Sequence, residues 1–255
     1  TVEWEPLIRS NNSDNYMYTG HYYLMEDISD DYTRYKVLNS GEKVCLDLNG
    51  HSIDATVRVF RVYGNLNLMD SVGTGVITGN TAGQASVFYV YENAVFNFYG
   101  GTMTAIKTVT SSSGAGIGGI DKGTMNMYGG TITGGVAQKS GGNLNLYNTG
   151  VLNLYGGTIQ NGTSLEASGG NIQMSTSSKL HIYGGSILGG SAANLGDCIN
   201  ANGAVTLHGQ DKISVTQIYL PGTKKLSIDG VLAEGSSVGI GLENQTGVFT
   251  GATQE

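Results

Sequence analysis

Proline occurs only twice in 255 residues, cysteine only twice and tryptophan once, and charged residues make up 13% of the chain. Each scarcity excludes something. Two prolines are too few for a collagen-like chain or a Pro-rich linker. Two cysteines cannot form a disulfide framework, and Cys45 and Cys198 fit no metal-ligand spacing. No stretch approaches the roughly 18 consecutive apolar residues that a membrane-spanning helix needs. The charged fraction is about half of the ~25% usual in globular domains. It is also unbalanced: 13 Lys and Arg stand against 20 Asp and Glu, a formal net charge of −7. Duplex binding draws its affinity from Lys and Arg that neutralise phosphates. With no basic cluster, nucleic acid is excluded as a partner, and so is a bare anionic membrane surface. There is no signal-peptide hydrophobic region at the start. The chain opens at Thr1-Val2-Glu3-Trp4 without an initiator Met, and reads as a mature protein or a piece of a longer one.

Glycine, at 41 residues, is abundant, and its placement is regular. The stretch Phe96-Asn97-Phe98-Tyr99-Gly100-Gly101-Thr102-Met103 returns as Met125-Asn126-Met127-Tyr128-Gly129-Gly130-Thr131-Ile132. It returns again as Leu152-Asn153-Leu154-Tyr155-Gly156-Gly157-Thr158-Ile159 and as Leu180-His181-Ile182-Tyr183-Gly184-Gly185-Ser186-Ile187. The starts lie 29, 27 and 28 residues apart, a period that signals stacked repeats. Within each copy apolar and polar residues alternate, as in a strand with one buried face, and the strand then turns at Gly-Gly. A second alternating segment precedes it, as in Val87-Phe88-Tyr89-Val90-Tyr91, Asn143-Leu144-Asn145-Leu146-Tyr147 and Asn171-Ile172-Gln173-Met174. A short third segment follows, as in Thr131-Ile132-Thr133 and Ser186-Ile187-Leu188. Degenerate copies stand at Val44-Cys45-Leu46-Asp47-Leu48-Asn49-Gly50, Leu66-Asn67-Leu68, Val205-Thr206-Leu207 and Leu226-Ser227-Ile228.

Three short strands per period, repeated through about eight coils, predict an all-β right-handed parallel β-helix, because parallel crossovers in one sheet are right-handed. Residues 41–255 form this helix. Residues 1–40 do not repeat; they hold Trp4, the polar run at 11–15 and Tyr22-Tyr23-Leu24-Met25, and they read as the cap that an open stack of strands requires. An alternative use of Trp4 and the tyrosines there is contact with a ligand. Polar insertions at 106–119 and 162–170 project from corners of the stack. Coils separate Cys45 from Cys198 by several steps of roughly 4.8 Å, beyond the ~7 Å Cα separation a disulfide tolerates. Both are therefore expected as free thiols.

The combination Leu46-Asp47-Leu48-Asn49-Gly50-His51-Ser52-Ile53 with repeated Tyr-Gly-Gly-Thr-Ile resembles the right-handed β-helix domains of large surface proteins from Gram-positive gut bacteria. The stretch Ile218-Tyr219-Leu220-Pro221-Gly222, with Gly247-Val248-Phe249-Thr250-Gly251 further on, is similar to the end of such domains, so the resemblance covers about residues 44–251. It implies an adhesive module, extracellular or on the cell surface of a bacterium, with a glycan or host surface protein as partner. More distantly the chain is similar to the pectate-lyase-like superfamily of polysaccharide-active enzymes. Fold alone does not choose between these.

Strict alternation turns Tyr99, Tyr128, Tyr155 and Tyr183 outward in one row, with Asn97, Asn126, Asn153 and His181 in a parallel row. Such a face pairs apolar walls with hydrogen-bonding groups, as glycan sites do. The same rows, read without a ligand, are ladders that stabilise in-register strands. A second constellation is Glu92 and Asp121, each four residues ahead of its repeat strand, which equal spacing would stack on adjacent rungs. Retaining glycosidases use two carboxyl groups about 5–5.5 Å apart, and a carboxylate pair with backbone oxygens also suits a hard cation such as Ca²⁺. Both residues also read as ordinary corner turns. Polysaccharide lyases need a base and a neutralising cation. Arg58 and Arg61 are the close arginines here, but no Asp cluster recurs at matching positions, a departure from those enzymes. His21, His51, His181 and His208 have no Ser or Cys spaced for a triad. The rungs Thr102-Met103-Thr104 and Thr131-Ile132-Thr133 begin a flat ice-binding-like array that stops after two. The leading expectation is a binding module working through the Tyr/Asn face or the corner loops, with no cofactor. The alternatives are a glycosidase or lyase, and a spacer without a ligand.

Overall fold

A computed structural model describes residues 2–7, 16–29, 36–79, 86–105, 108–110, 114–243 and 250–252. The polar run at 11–15, residues 111–113 of the first insertion and residues 247–249 lie outside them. The described chain is a right-handed parallel β-helix of about seven turns, with no helix among its elements.

Three walls run the length of the stack. The first has eleven strands, from Glu5–Leu7 and Gly20–Leu24 through Val95–Phe98, Thr124–Met127, Val151–Leu154 and Lys179–Ile182 to Thr250–Ala252. The second includes Thr102–Ala105, Thr131–Thr133, Thr158–Gln160 and Gly185–Leu188, and the third Phe60–Val62, Phe88–Val90, Gly118–Asp121, Leu144–Tyr147 and Ile172–Met174. Every coil in the repeated region visits the third wall, then the first, then the second. The walls merge at one place. Strand Ile213–Leu220 pairs with both Gly185–Leu188 and Ile199–Asn200, so second and third walls form one 15-stranded sheet. Not foreseen were Val136–Ala137, Thr163–Ser164 and Ser191–Ala192, which form a separate three-stranded sheet between the second and third walls. At two residues each they are too short to show a period.

Alternation builds the core. Phe96, Met125, Leu152 and Leu180 stack in register, as do Phe98, Met127, Leu154 and Ile182, and all eight are fully buried. Full burial of such a side chain contributes about 1.5–3 kcal/mol. Where a large residue meets the column, a small one answers it. The Phe88 ring occupies the space beside Gly118, where a Cβ would come within 2.1 Å of its ring carbon. The two glycines of each corner have different jobs. The second adopts positive φ (91° at Gly101, 76° at Gly130, 85° at Gly157), which only glycine holds without strain. The first lets coils close, since a Cβ at Gly129 would sit 2.5 Å from the Tyr99 carbonyl oxygen.

Inside the third-wall corner, Asn143 and Asn171 are wholly buried and bonded to each other at 2.7 Å, and each accepts a backbone N–H, from Gly135 and Gly162 respectively. This satisfies polar groups that would otherwise destabilise a dry corner. The described strands of residues 1–40 follow the same path: Gly20–Leu24 lies between Glu5–Leu7 and Lys43–Asp47, and Lys36–Leu38 pairs with Phe60–Val62. Cys45, half-buried, and Cys198, buried, are both free thiols.

Candidate functional site

The first wall presents two straight columns. Pairing places Asn97, Asn126, Asn153, His181 and Thr206 on successive rungs. One step further along each strand, Tyr99, Tyr128, Tyr155, Tyr183 and His208 form the second column. Their rings lie 4.8, 4.8, 4.5 and 4.0 Å apart, within 6–13° of parallel. A centroid spacing of 4.8 Å exceeds the roughly 3.5 Å contact of stacked carbons, so the tyrosine rings lean and overlap like tiles. Tyr99 is 45% and Tyr128 43% exposed, whereas Tyr155 and Tyr183 are half-buried.

The stacking decides what this face can offer. Each ring covers its neighbour's flat side, leaving edges and hydroxyls toward solvent. Burial raises the Tyr99 phenol above its ordinary value, with Tyr128 adding to the effect. Burial and Tyr183 do the same for Tyr155. Both hydroxyls therefore stay protonated, with that of Tyr155 hydrogen-bonded to Tyr183. Beneath them the asparagines bond to one another: Asn97 Nδ2 donates to Asn67 Oδ1 at 2.8 Å, Asn126 to Asn97 at 2.7 Å and Asn153 to Asn126 at 2.8 Å. Asn67 ends this run with a longer contact to Cys45 Sγ, 3.5 Å. Asn97 and Asn126 each spend one donor and one acceptor on the ladder and keep a second of each.

The columns are tied together at one end. His181 Nδ1 is 3.3 Å from His208 Nε2, and His208 Nδ1 is 2.9 Å from Asp229 Oδ2. Burial lowers the His181 pKa, with His208 and Lys179 acting in the same direction, so His181 favours its neutral form.

Glu92 and Asp121 do not stack. Val90 pairs with Ile120, which sets Asp121 level with Tyr91, and Asp121 itself pairs with Tyr147. The corner ahead of Val95 is one residue longer than the corner ahead of Thr124. Its left-handed residue, Asn93 (φ 62°), therefore corresponds to Lys122 (φ 57°). Counting back from Phe96 and Met125 equated Glu92 with Asp121 because it assumed corners of equal length. Each carboxylate has other partners: Glu92 pairs with Lys122 at 3.3 Å, and Asp121 accepts from Asn148 Nδ2 at 2.7 Å and from the Tyr89 hydroxyl at 3.4 Å. Among the described residues no group of three or more His, Cys, Asp or Glu side chains is arranged to hold a metal ion.

A cluster on the third wall was not singled out from the sequence. Tyr63 and Tyr91 stack at 4.0 Å, Tyr89 lies 4.7 Å from Tyr91 and 5.8 Å from Tyr147, and the Arg58 guanidinium sits 5.0 Å over the Tyr89 ring. Gly119 makes room for it, since a Cβ there would meet the Tyr89 ring at 2.6 Å. Burial holds Arg58 below its usual pKa, and burial and Asp121 push Tyr89 up. The available signal was the outward phase of Tyr89 and Tyr91 in Phe88-Tyr89-Val90-Tyr91. Of the other histidines, His21 meets Trp4 edge-on at 5.3 Å and His51 lies 3.5 Å from Asp27.

Set against known protein families, curated proteins and solved structures, the chain matches none.

Proposed function

We propose that this chain is a rigid binding module of a bacterial surface protein, of the adhesive β-helix kind its repeats resemble. Its ligand is a glycan or a host surface protein, met at the tyrosine face. One observation carries the reading: Tyr99 and Tyr128 stand exposed on a strip whose outward residues (Val95, Asn97, Thr124, Asn126, Val151, Asn153) are uncharged and locked in register. Exposed aromatic rings on a rigid scaffold with amide donors nearby suit sugar hydroxyls and peptide edges alike. Because the ring faces cover one another, contact is made by phenol edges and hydroxyls.

A second reading, a spacer without a ligand, draws on the internal saturation of the same columns, where rings stack on rings and amides bond to amides. A glycan and host-protein array, screened with and without Ca²⁺, separates the two. The binding role predicts saturable binding that Tyr128→Ala weakens by about 1–2 kcal/mol and that Tyr128→Phe, which keeps the stack, also weakens. A blank array, with loss of stability as the only effect of Tyr128→Ala, refutes it in favour of the spacer.

A further inference from the structure

The tyrosine column also holds a chemistry that recognition does not use. A phenol that loses one electron and its hydroxyl proton becomes a phenoxyl radical, with spin shared between the oxygen and the two ring carbons beside it. Two such radicals in contact form a bond between those carbons. The hydrogen on each bonded carbon then moves to its own oxygen and restores the ring. The net loss is two electrons and two protons, which one hydrogen peroxide accepts, through a peroxidase, in becoming two waters. The reaction is normally limited by the need to bring two tyrosines together.

Here they are already together. The Tyr99 and Tyr128 rings lie 4.8 Å apart and 8° from parallel, and Tyr128 and Tyr155 lie 4.8 Å apart and 6° from parallel. The strands that carry them are paired residue for residue, and the Asn97–Asn126 and Asn126–Asn153 bonds hold the rungs just beneath. Two features single out the Tyr99–Tyr128 step. Both rings are exposed to an oxidant at 45% and 43%, and their outer edges are free of packing, so they can tilt to bonding distance. The molecule contains its own controls. Tyr16 and Tyr18 are as exposed, at 45% and 54%, but lie outside the column. Tyr63 and Tyr91 stack more closely, at 4.0 Å, but are only half-exposed.

We infer that Tyr99 and Tyr128 form a modification site for dityrosine cross-linking by a peroxidase and hydrogen peroxide, which bolts one coil of the helix to the next. The inference does not depend on the proposed function, because it needs no glycan or host protein on this face.

The test treats the dilute purified chain with a peroxidase and hydrogen peroxide, then reads dityrosine fluorescence, intact mass and cross-linked peptides. The expected product is a monomer lighter by two hydrogens, with Tyr99 joined to Tyr128 and a raised unfolding midpoint. Tyr128→Phe keeps a ring in the stack but has no phenol to oxidise, so fluorescence should fall to background. Tyr99→Phe, at the end of the column, should remove the same peptide, while Tyr18→Phe should change nothing. Covalent dimers as the main product would overturn the inference. So would cross-links confined to Tyr16, Tyr18 or the Tyr63–Tyr91 pair, undiminished fluorescence in Tyr128→Phe, or no cross-link at all.

Discussion

Removing one amide from the middle of the asparagine column should cost two hydrogen bonds, and removing two adjacent amides should cost three. The count follows from the geometry. Asn97 bonds to Asn67 and Asn126, and Asn126 bonds to Asn97 and Asn153, so the two residues share one bond. A hydrogen bond of this kind contributes about 1 kcal/mol net. The column is half-buried, so water reaches the orphaned groups and the larger penalty of a dry, unpaired amide does not apply. Asn97→Ala and Asn126→Ala should each destabilise by about 2 kcal/mol, and the double variant by about 3 rather than 4. The interaction energy of the pair is then about −1 kcal/mol, the size expected for direct contact. Asn67→Ala, which loses one short bond and one 3.5 Å contact to sulfur, should cost less than either single variant. The assay is equilibrium unfolding in urea followed by circular dichroism, with unchanged m-values as the check that one transition is being compared. Full additivity of Asn97→Ala and Asn126→Ala would refute the ladder as a bonded chain. Single-variant losses below ~0.5 kcal/mol would show that water replaces these bonds at no cost.

Three further outcomes are expected. Gly118→Ala should destabilise by about 1–3 kcal/mol by forcing a methyl into the Phe88 ring, and Phe88→Leu in that background should recover part of the loss in urea melts. His181 protonates below its ordinary value of 6.5 in the folded chain, so just below that value the unfolded state binds more protons. Stability is therefore full above ~6.5 and falls as pH drops toward the folded value. His181→Asn should flatten that slope when urea midpoints are compared one pH unit either side of it, and an unchanged slope would sink the assignment. Cys198 is fully buried, with its thiol pKa pushed up by that burial, so a thiol reagent should titrate Cys45 alone in the native protein and both cysteines in urea.

The repeat disclosed the architecture because a single face of the first wall is buried, and alternation around Tyr-Gly-Gly therefore fixes the phase of its strands. That phase carried directly to the core pairs Phe96–Met125 and Phe98–Met127, and to both outward columns. It did not carry around corners. Corner length is set by local turn chemistry, and one extra residue ahead of Val95 was enough to send Glu92 to Lys122. The buried Asn143–Asn171 pair was also out of reach. Polar residues buried at a corner break the alternation rule, and only the backbone they satisfy explains them. The third-wall tyrosines were half legible: their outward phase could be read, but their convergence depends on the bare rung at Gly119, where strand pairing sets a glycine beside Tyr89.

The alignment of the two columns with the axis has a mechanical consequence. Backbone bonds between coils also point along the axis, so tension between the ends loads the coils in series, and the weakest boundary parts first. Side-chain bonds add to the backbone at each boundary from Asn67 to Asn153, and stacked rings do so from Tyr99 to His208. The end boundaries, Gly20–Leu24 with Lys43–Asp47 and Leu226–Asp229 with Thr250–Ala252, lie outside both columns, and the first is tied instead by bonds between Thr19 and Glu42 and from Asn49 to the Leu24 carbonyl. Because each coil holds only its neighbours, a stretched molecule should peel inward from its end coils, which the columns do not reach, and keep the exposed Tyr99–Tyr128 strip intact longest.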